Sequence, residues 1–306
     1  MNIQGSTELL VFENAQLLPL IFSVCSYLVF SRWLPKSVRN FVVTSVATAT
    51  IGFMIFGSPI HNSAYEIVSS RTVADPSGVA IDEKRILFIG NSYTFYNDMP
   101  EMVIQIAKSD PDNHTRFVVQ SVAWGGANLQ ALWNDGRALK LLKTSRWDYV
   151  VLQEQSFWAM FPQSVDNTSR FAHRFDQAIK AASGQTLLFT TWARQPGSNW
   201  YQERETSFLR NPIYMQEQFN LHTKRLSDHL GAVAIPVGDY WAAALKLQPQ
   251  LPLYSEDGSH PSPTGSYLAA LVFYQHFSGH QLNRADYVPH GVQSEHAIFL
   301  RALVSP

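Results

Sequence analysis

From residue 81 onward, short apolar runs rich in β-branched residues alternate with longer segments whose apolar positions recur at helical spacing. The runs Arg85–Gly90, Thr115–Val122, Tyr149–Gln153, Thr186–Thr190 and Ala232–Pro236 have the length and residue types of strands buried on both faces. Between them Met99–Ser109, Leu129–Lys143, Asn167–Ala182 and Ile213–Leu230 read as helices, and Tyr240–Leu247 and Thr264–Phe277 follow. This alternation predicts βαβ units: an α/β body with a parallel sheet covered by helices on both faces. Sites in such sheets lie beyond the carboxyl ends of the strands, so the loop after each run is where chemistry is expected.

The first 65 residues break the pattern. Asn14 to Ser31 and Asn40 to Tyr65 carry no charge, and Arg32, Lys36 and Arg39 lie between them. A spanning helix needs about 20 apolar residues, which the second stretch supplies; the first has a shorter core, Leu17 to Phe30, interrupted by Pro19. The basic loop is expected in the cytoplasm, which sends everything after His61 to the other side of the membrane. A signal peptide with Arg32–Arg39 as its basic region and Phe41–Phe56 as its apolar region leads to the same destination. The third reading makes both stretches buried core helices of a soluble protein. Residues 66–80 are polar, with Ser, Arg, Asp and Pro, and read as a linker to a body over 81–306. Under either export reading the body lies outside the cytoplasm, anchored to the membrane or secreted.

Composition narrows the function classes. A hydrophobic fraction of 46% supplies a sizeable core, and 23 basic against 24 acidic residues leave a net charge of −1, which does not advertise a nucleic-acid partner. One cysteine, Cys25, excludes an internal disulfide framework and a Cys-based zinc site. The 10 histidines form no HExxH pair, so no metal and no cofactor is expected.

Two loops carry the candidate chemistry. Gly90-Asn91-Ser92-Tyr93-Thr94 follows the first strand, and a serine between a core strand and a helix presents its hydroxyl at the sheet edge, near backbone N–H groups of the next turn. The same residues also fit an ordinary strand-to-helix turn in which Ser92 or Thr94 only caps the helix. Near the end of the body, Asp257-Gly258-Ser259-His260-Pro261 places an aspartate three residues before a histidine, spacing that can bring carboxylate to imidazole on one turn. Ser92, Asp257 and His260 together are the candidate catalytic residues.

Serine first, then aspartate and histidine three apart, resembles the SGNH hydrolases, also called GDSL-like esterases, over about Arg85 to Phe277. The resemblance implies a flavodoxin-like three-layer sandwich with a five-stranded parallel sheet. It also implies a serine esterase in which His260 takes the Ser92 proton and Asp257 holds the imidazole. Block one of the family is similar to Gly90–Thr94, with Asn91 where the family has aspartate. Block two is similar to Ala123-Trp124-Gly125-Gly126-Ala127-Asn128, which puts the oxyanion-hole glycine on Gly126. Block three departs: the family's GxND is replaced by Leu152-Gln153-Glu154-Gln155-Ser156. A glutamine amide offers the same N–H donor on one more methylene, so Gln155 is expected to join the N–H groups of Ser92 and Gly126, with Gln153 as the alternative.

The substrate is less legible. Thr191 to Tyr201, after the fourth strand, is long, aromatic and polar. Trp192 and Arg194 from this segment, with Trp124, Glu154 and Trp158, form a candidate substrate-facing rim that can stack on sugar rings. The resemblance, with a body outside the cytoplasm, implies a short acyl ester on a carbohydrate as the substrate. Two other readings stand beside hydrolysis: transfer of an acetyl group onto an envelope polysaccharide with the same triad, and a glycan-binding module that has lost activity.

Overall fold

A computed structural model of the chain describes residues 82–279, 281–282 and 284–305. The two uncharged stretches expected to meet a membrane lie outside the described residues. No helix among the described residues is long and apolar enough to cross a membrane.

The five expected strands form one parallel sheet: β1 (Asp82–Gly90), β2 (Thr115–Ala123), β3 (Tyr149–Leu152), β4 (Gln185–Phe189) and β5 (Val233–Ile235). Their order is β2-β1-β3-β4-β5, the flavodoxin-like arrangement in which the chain reverses direction across the sheet at β1 and β3. Gly90 pairs with Ala123, and Ile89 pairs with Leu152, so the loops that leave β1, β2 and β3 start side by side at one edge.

The strands are apolar on both sides, and alternation sends successive residues into different cores. Ile86 and Phe88 of β1, Val151 of β3 and Leu187 and Phe189 of β4 face one helical layer. That layer is α2 (Met99–Ser109), α7 (Val237–Leu247), α8 (Pro263–Ser278) and α9 (Ser294–Val304). Leu87 and Ile89, Val150 and Leu152, and Leu188 face the other layer: α3 (Leu129–Asp135), α4 (Arg137–Thr144), α5 (Pro162–Ala181) and α6 (Pro212–Leu230). Helix α8 is buried on every side from Thr264 to Tyr274, as its run of Ala, Leu, Val, Phe and Tyr requires. Phe273 packs edge-on against Phe88 and Phe189, with ring centroids 5.1 and 4.9 Å apart. Each such buried side chain contributes about 1.5 to 3 kcal/mol.

Local chemistry moved some boundaries. The expected helix Leu129–Lys143 is two helices, because Gly136 adopts φ +81° and ends α3 as a left-handed cap. Helix α5 starts five residues before the expected Asn167, since Pro162 fits the first helical position. Helix α9 was not foreseen, although Ala297, Leu300 and Val304 form its buried stripe.

Candidate active site

β1 ends at Gly90, where an added Cβ would lie 2.6 Å from Gln153 Oε1 and against Thr94 Oγ1, so only glycine lets these groups close over the strand end. Asn91 then caps a short helix, α1 (Ser92–Phe95): its Oδ1 accepts the Tyr93 N–H at 3.1 Å. The capping role that the sequence left open to Ser92 or Thr94 belongs to Asn91. The Asn91 amide donates to the carbonyls of Ala127 at 2.9 Å and Glu154 at 3.4 Å, tying the exits of β1, β2 and β3 together. A carboxylate has no N–H for these bonds, which accounts for asparagine at a position where the resemblance led to aspartate.

Ser92, freed from capping, directs Oγ to His260 Nε2 at 2.9 Å. His260 Nδ1 lies 2.5 Å from Asp257 Oδ2, and Asp257 Oδ1 accepts the N–H groups of Ser259 and His260, each at 2.9 Å. Burial raises the affinity of Asp257 for its proton, but the bonds from His260 and the two backbone N–H groups outweigh it and hold the carboxyl below its ordinary range. With Asp257 ionised, Nδ1 is the donor of the pair, and Nε2 is left as acceptor for the serine proton. The imidazole lies flat on Tyr96, centroids 4.3 Å apart, with Tyr93 edge-on at 5.5 Å.

Three donors were expected to receive an oxyanion at Ser92. Neither the Ser92 N–H nor the Gly126 N–H has an acceptor among the described residues, and Gly126, at φ +70°, forms an exposed turn in which Ala127 N–H closes on the Trp124 carbonyl at 3.2 Å. Gln155 uses its Oε1 to accept the Phe157 N–H at 2.8 Å, and its NH₂ has no partner among the described residues. Gln153, the alternative donor, is not available. It is fully buried, its Oε1 accepts the Asn91 N–H at 2.8 Å and the Thr94 hydroxyl at 3.0 Å, and its NH₂ donates to the Glu154 carbonyl.

The expected aromatic rim is corrected, and Trp158, 8% exposed in a core with Leu209, Met215 and Phe219, belongs to that correction. Trp192 is 1% exposed, stacked between Tyr93 and Trp241 at 4.6 and 4.0 Å, and donates its indole N–H to the Ser259 carbonyl at 3.0 Å. Arg194 is 2% exposed; it donates to the Tyr93 hydroxyl and, at 2.8 Å, to Ser156 Oγ, and no carboxylate pairs with it among the described residues. The guanidinium is flanked instead by the rings of Phe157 and Trp200, 4.4 and 4.9 Å away. Neither side chain reaches solvent, since the loop after β4 folds inward. Glu154 is buried as well: its carboxylate accepts the N–H groups of Leu129 and Gln155 and the Thr168 hydroxyl, while burial pushes its pKa up. Trp124 is half-buried under Arg137, and Trp158 lines a cleft beside Gln155.

The loop after β4 grips the Asp257–His260 turn. Besides the Trp192 bond, Gln195 N–H donates to the Gly258 carbonyl at 2.9 Å and the Trp200 indole to the Asp257 carbonyl at 2.7 Å. Tyr93 closes the set, its hydroxyl 2.7 Å from Ser259 Oγ. Tyr93, Ser259, Gln195 and Trp200 were not singled out in the sequence; the Tyr directly after Ser92 and the Ser directly before His260 were the only hints.

No family model and no curated protein matches the chain. Solved structures do. A candidate SGNH hydrolase from Slackia heliotrinireducens is 28% identical, with a TM-score of 0.54 over 64% of this chain and 100% of that one. A DUF4886 family protein from Bacteroides uniformis is 17% identical, with a TM-score of 0.57 over 73% and 93%. An acetylxylan esterase from Geobacillus stearothermophilus is 14% identical, with a TM-score of 0.51 over 67% and 98%. At that identity the last two share the fold.

Proposed function

We propose that this chain, an SGNH-type ester hydrolase by fold and by its structural neighbours, removes short acyl groups, acetyl above all, from carbohydrate through an acyl-enzyme on Ser92. The observation that carries the reading is the series Ser92 Oγ, His260 and Asp257, with contacts of 2.9 and 2.5 Å, at the carboxyl edge of the sheet.

Ser92 Oγ attacks the ester carbonyl carbon while its proton passes to His260 Nε2, and Asp257 stabilises the imidazolium that forms. The carbonyl oxygen, now negative, is received by the N–H groups of Ser92 and Gly126 and the amide of Gln155. His260 returns the proton to the leaving alcohol oxygen, and the C–O bond breaks. Water then attacks the acyl-enzyme with His260 as base, and the carboxylic acid leaves. These steps use only protons and the chain's own donors. The body works outside the cytoplasm, tethered or delivered by the uncharged stretches within residues 1–65.

Labelling with a fluorophosphonate probe, together with hydrolysis of p-nitrophenyl acetate in preference to the decanoate, tests the reading. An unlabelled protein without acetyl-ester hydrolysis would sink it. For the location, a chain starting near Val79 is expected to be soluble and active, because Ser92, Asp257, His260 and all five strands of the described sheet lie beyond that point.

A further inference from the structure

A cleft of about 460 Å³ opens between the exits of β2 and β3 and the first turns of α5. It begins next to the nucleophile's loop: Asn91 bonds the carbonyls of Ala127 and Glu154, and the residues that follow these two, Asn128 and Gln155, line the cleft. Gln163, Ser164 and Asn167 of α5 form the facing wall, and Trp158, 8% exposed and packed against Leu209, Met215 and Phe219, closes the floor.

The lining is rich in carboxamides and poor in charge. No Lys, Arg or His lines the cleft, and its one ionisable group is Glu154, whose carboxylate is already held by two N–H groups and the Thr168 hydroxyl. An anionic ligand would therefore meet a carboxylate and no compensating cation. A fatty chain would strand the amides without partners. The amide oxygens of Asn128 and Gln155 are occupied by the N–H groups of Ala131 and Phe157; the Asn128 NH₂ is left as a donor to the cleft, while that of Gln155 belongs to the proposed oxyanion set. The side chains of Gln163, Ser164 and Asn167 make no hydrogen bond among the described residues and offer donors and acceptors alike. Hydroxyl groups that both donate and accept match this set.

We propose that this cleft binds uncharged sugar units of the acylated glycan and excludes uronic acids and phosphorylated sugars. The inference rests on the esterase reading above and adds where the sugar sits and which sugars fit.

The test compares acetylated cellobiose, acetylated glucuronic acid and p-nitrophenyl acetate as substrates of the full chain. Gln163→Leu and Asn167→Leu, neither in the catalytic machinery, are expected to raise KM for acetylated cellobiose about ten-fold each, the loss of one or two hydrogen bonds. Their kcat and their rate on p-nitrophenyl acetate should match wild type. Unchanged KM for acetylated cellobiose, an equal loss on both substrates, or preference for the glucuronic acid ester would overturn the inference while leaving the esterase reading intact. Absence of hydrolysis and of probe labelling would instead remove the esterase reading. Calorimetric titration of cellobiose into Ser92→Ala, with and without Asn167→Leu, then decides the cleft alone: undetectable or equal binding overturns it.

Discussion

The loops that leave β1 and β4 start at the same edge of one sheet and end in opposite environments. After β1, Asn91 takes over the cap and ties three loops together, so Ser92 needs no structural bond and turns its hydroxyl to His260. After β4, Trp192 and Arg194 turn inward, and the segment spends its polar groups on the Asp257–His260 turn. Position at the carboxyl edge makes a loop a candidate for function, but what its polar groups are bonded to divides chemistry from support.

The largest expected effects test the β1 side. Ser92→Ala and His260→Ala should each lower kcat for p-nitrophenyl acetate by several orders of magnitude, since nucleophile and base act as a unit, with Asp257→Asn less damaging. Retained labelling of Ser92→Ala would move the nucleophile elsewhere. Ser156, the next hydroxyl, is already engaged by Arg194.

Next comes the block-three pair. If the Gln155 amide receives the oxyanion, Gln155→Ala should lower kcat roughly 100 to 1,000-fold with little change in KM, because such a donor acts in the transition state. Gln153→Ala should instead lower stability by about 1 to 3 kcal/mol, seen in denaturant melts, because it strands the Asn91 N–H and the Thr94 hydroxyl in a buried site. Reversed outcomes would break the division between the two glutamines.

The clamp after β4 should give smaller changes. Arg194→Met keeps length and packing but loses the bond to Tyr93, and Tyr93→Phe removes the hydroxyl that reaches Ser259. Each should lower kcat about ten-fold at constant KM, and the double variant should lose little more than either alone. Additive losses, or a fall in melting temperature with kcat intact, would reduce Arg194 to packing.

The smallest effect is in pH. Asp257 is held below its ordinary range, so it binds fewer protons in the folded chain than in the unfolded one. Its contribution to stability is present above the ordinary carboxylate pKa and is lost as pH falls through the lowered value. Wild type should therefore lose stability relative to Asp257→Asn in acid titration below about pH 4. The difference is small because the Asp257 side chain is 45% exposed. A gap that widened toward acid would contradict the assigned partners.

Much of the site was legible because its decisive relations are local or periodic. Asp257 and His260 are three apart on one turn, and Ser92 follows an apolar run with the length and residue types of a buried strand. Gln155 against Gln153 was only half legible. Both are glutamines near a strand end, and their difference is that one faces Asn91 and Thr94 across the sheet edge. The tryptophans and arginine after β4 misled for the same reason: aromatic and polar residues in a loop read alike whether they turn to solvent or inward.

The sequence by itself determined the alternation of strands and helices, the chain order of Ser92, Asp257 and His260 and the absence of charge that would draw nucleic acid. Those properties depend on spacing, periodicity and composition, which do not change with distant contacts. Tertiary structure decided which side chains were left free to act. Gln153 lies 62 positions from Asn91, and Arg194 lies 101 from Tyr93. Such pairs exist only after the sheet has brought its loops together, and a buried polar group is fixed by the partner it finds there.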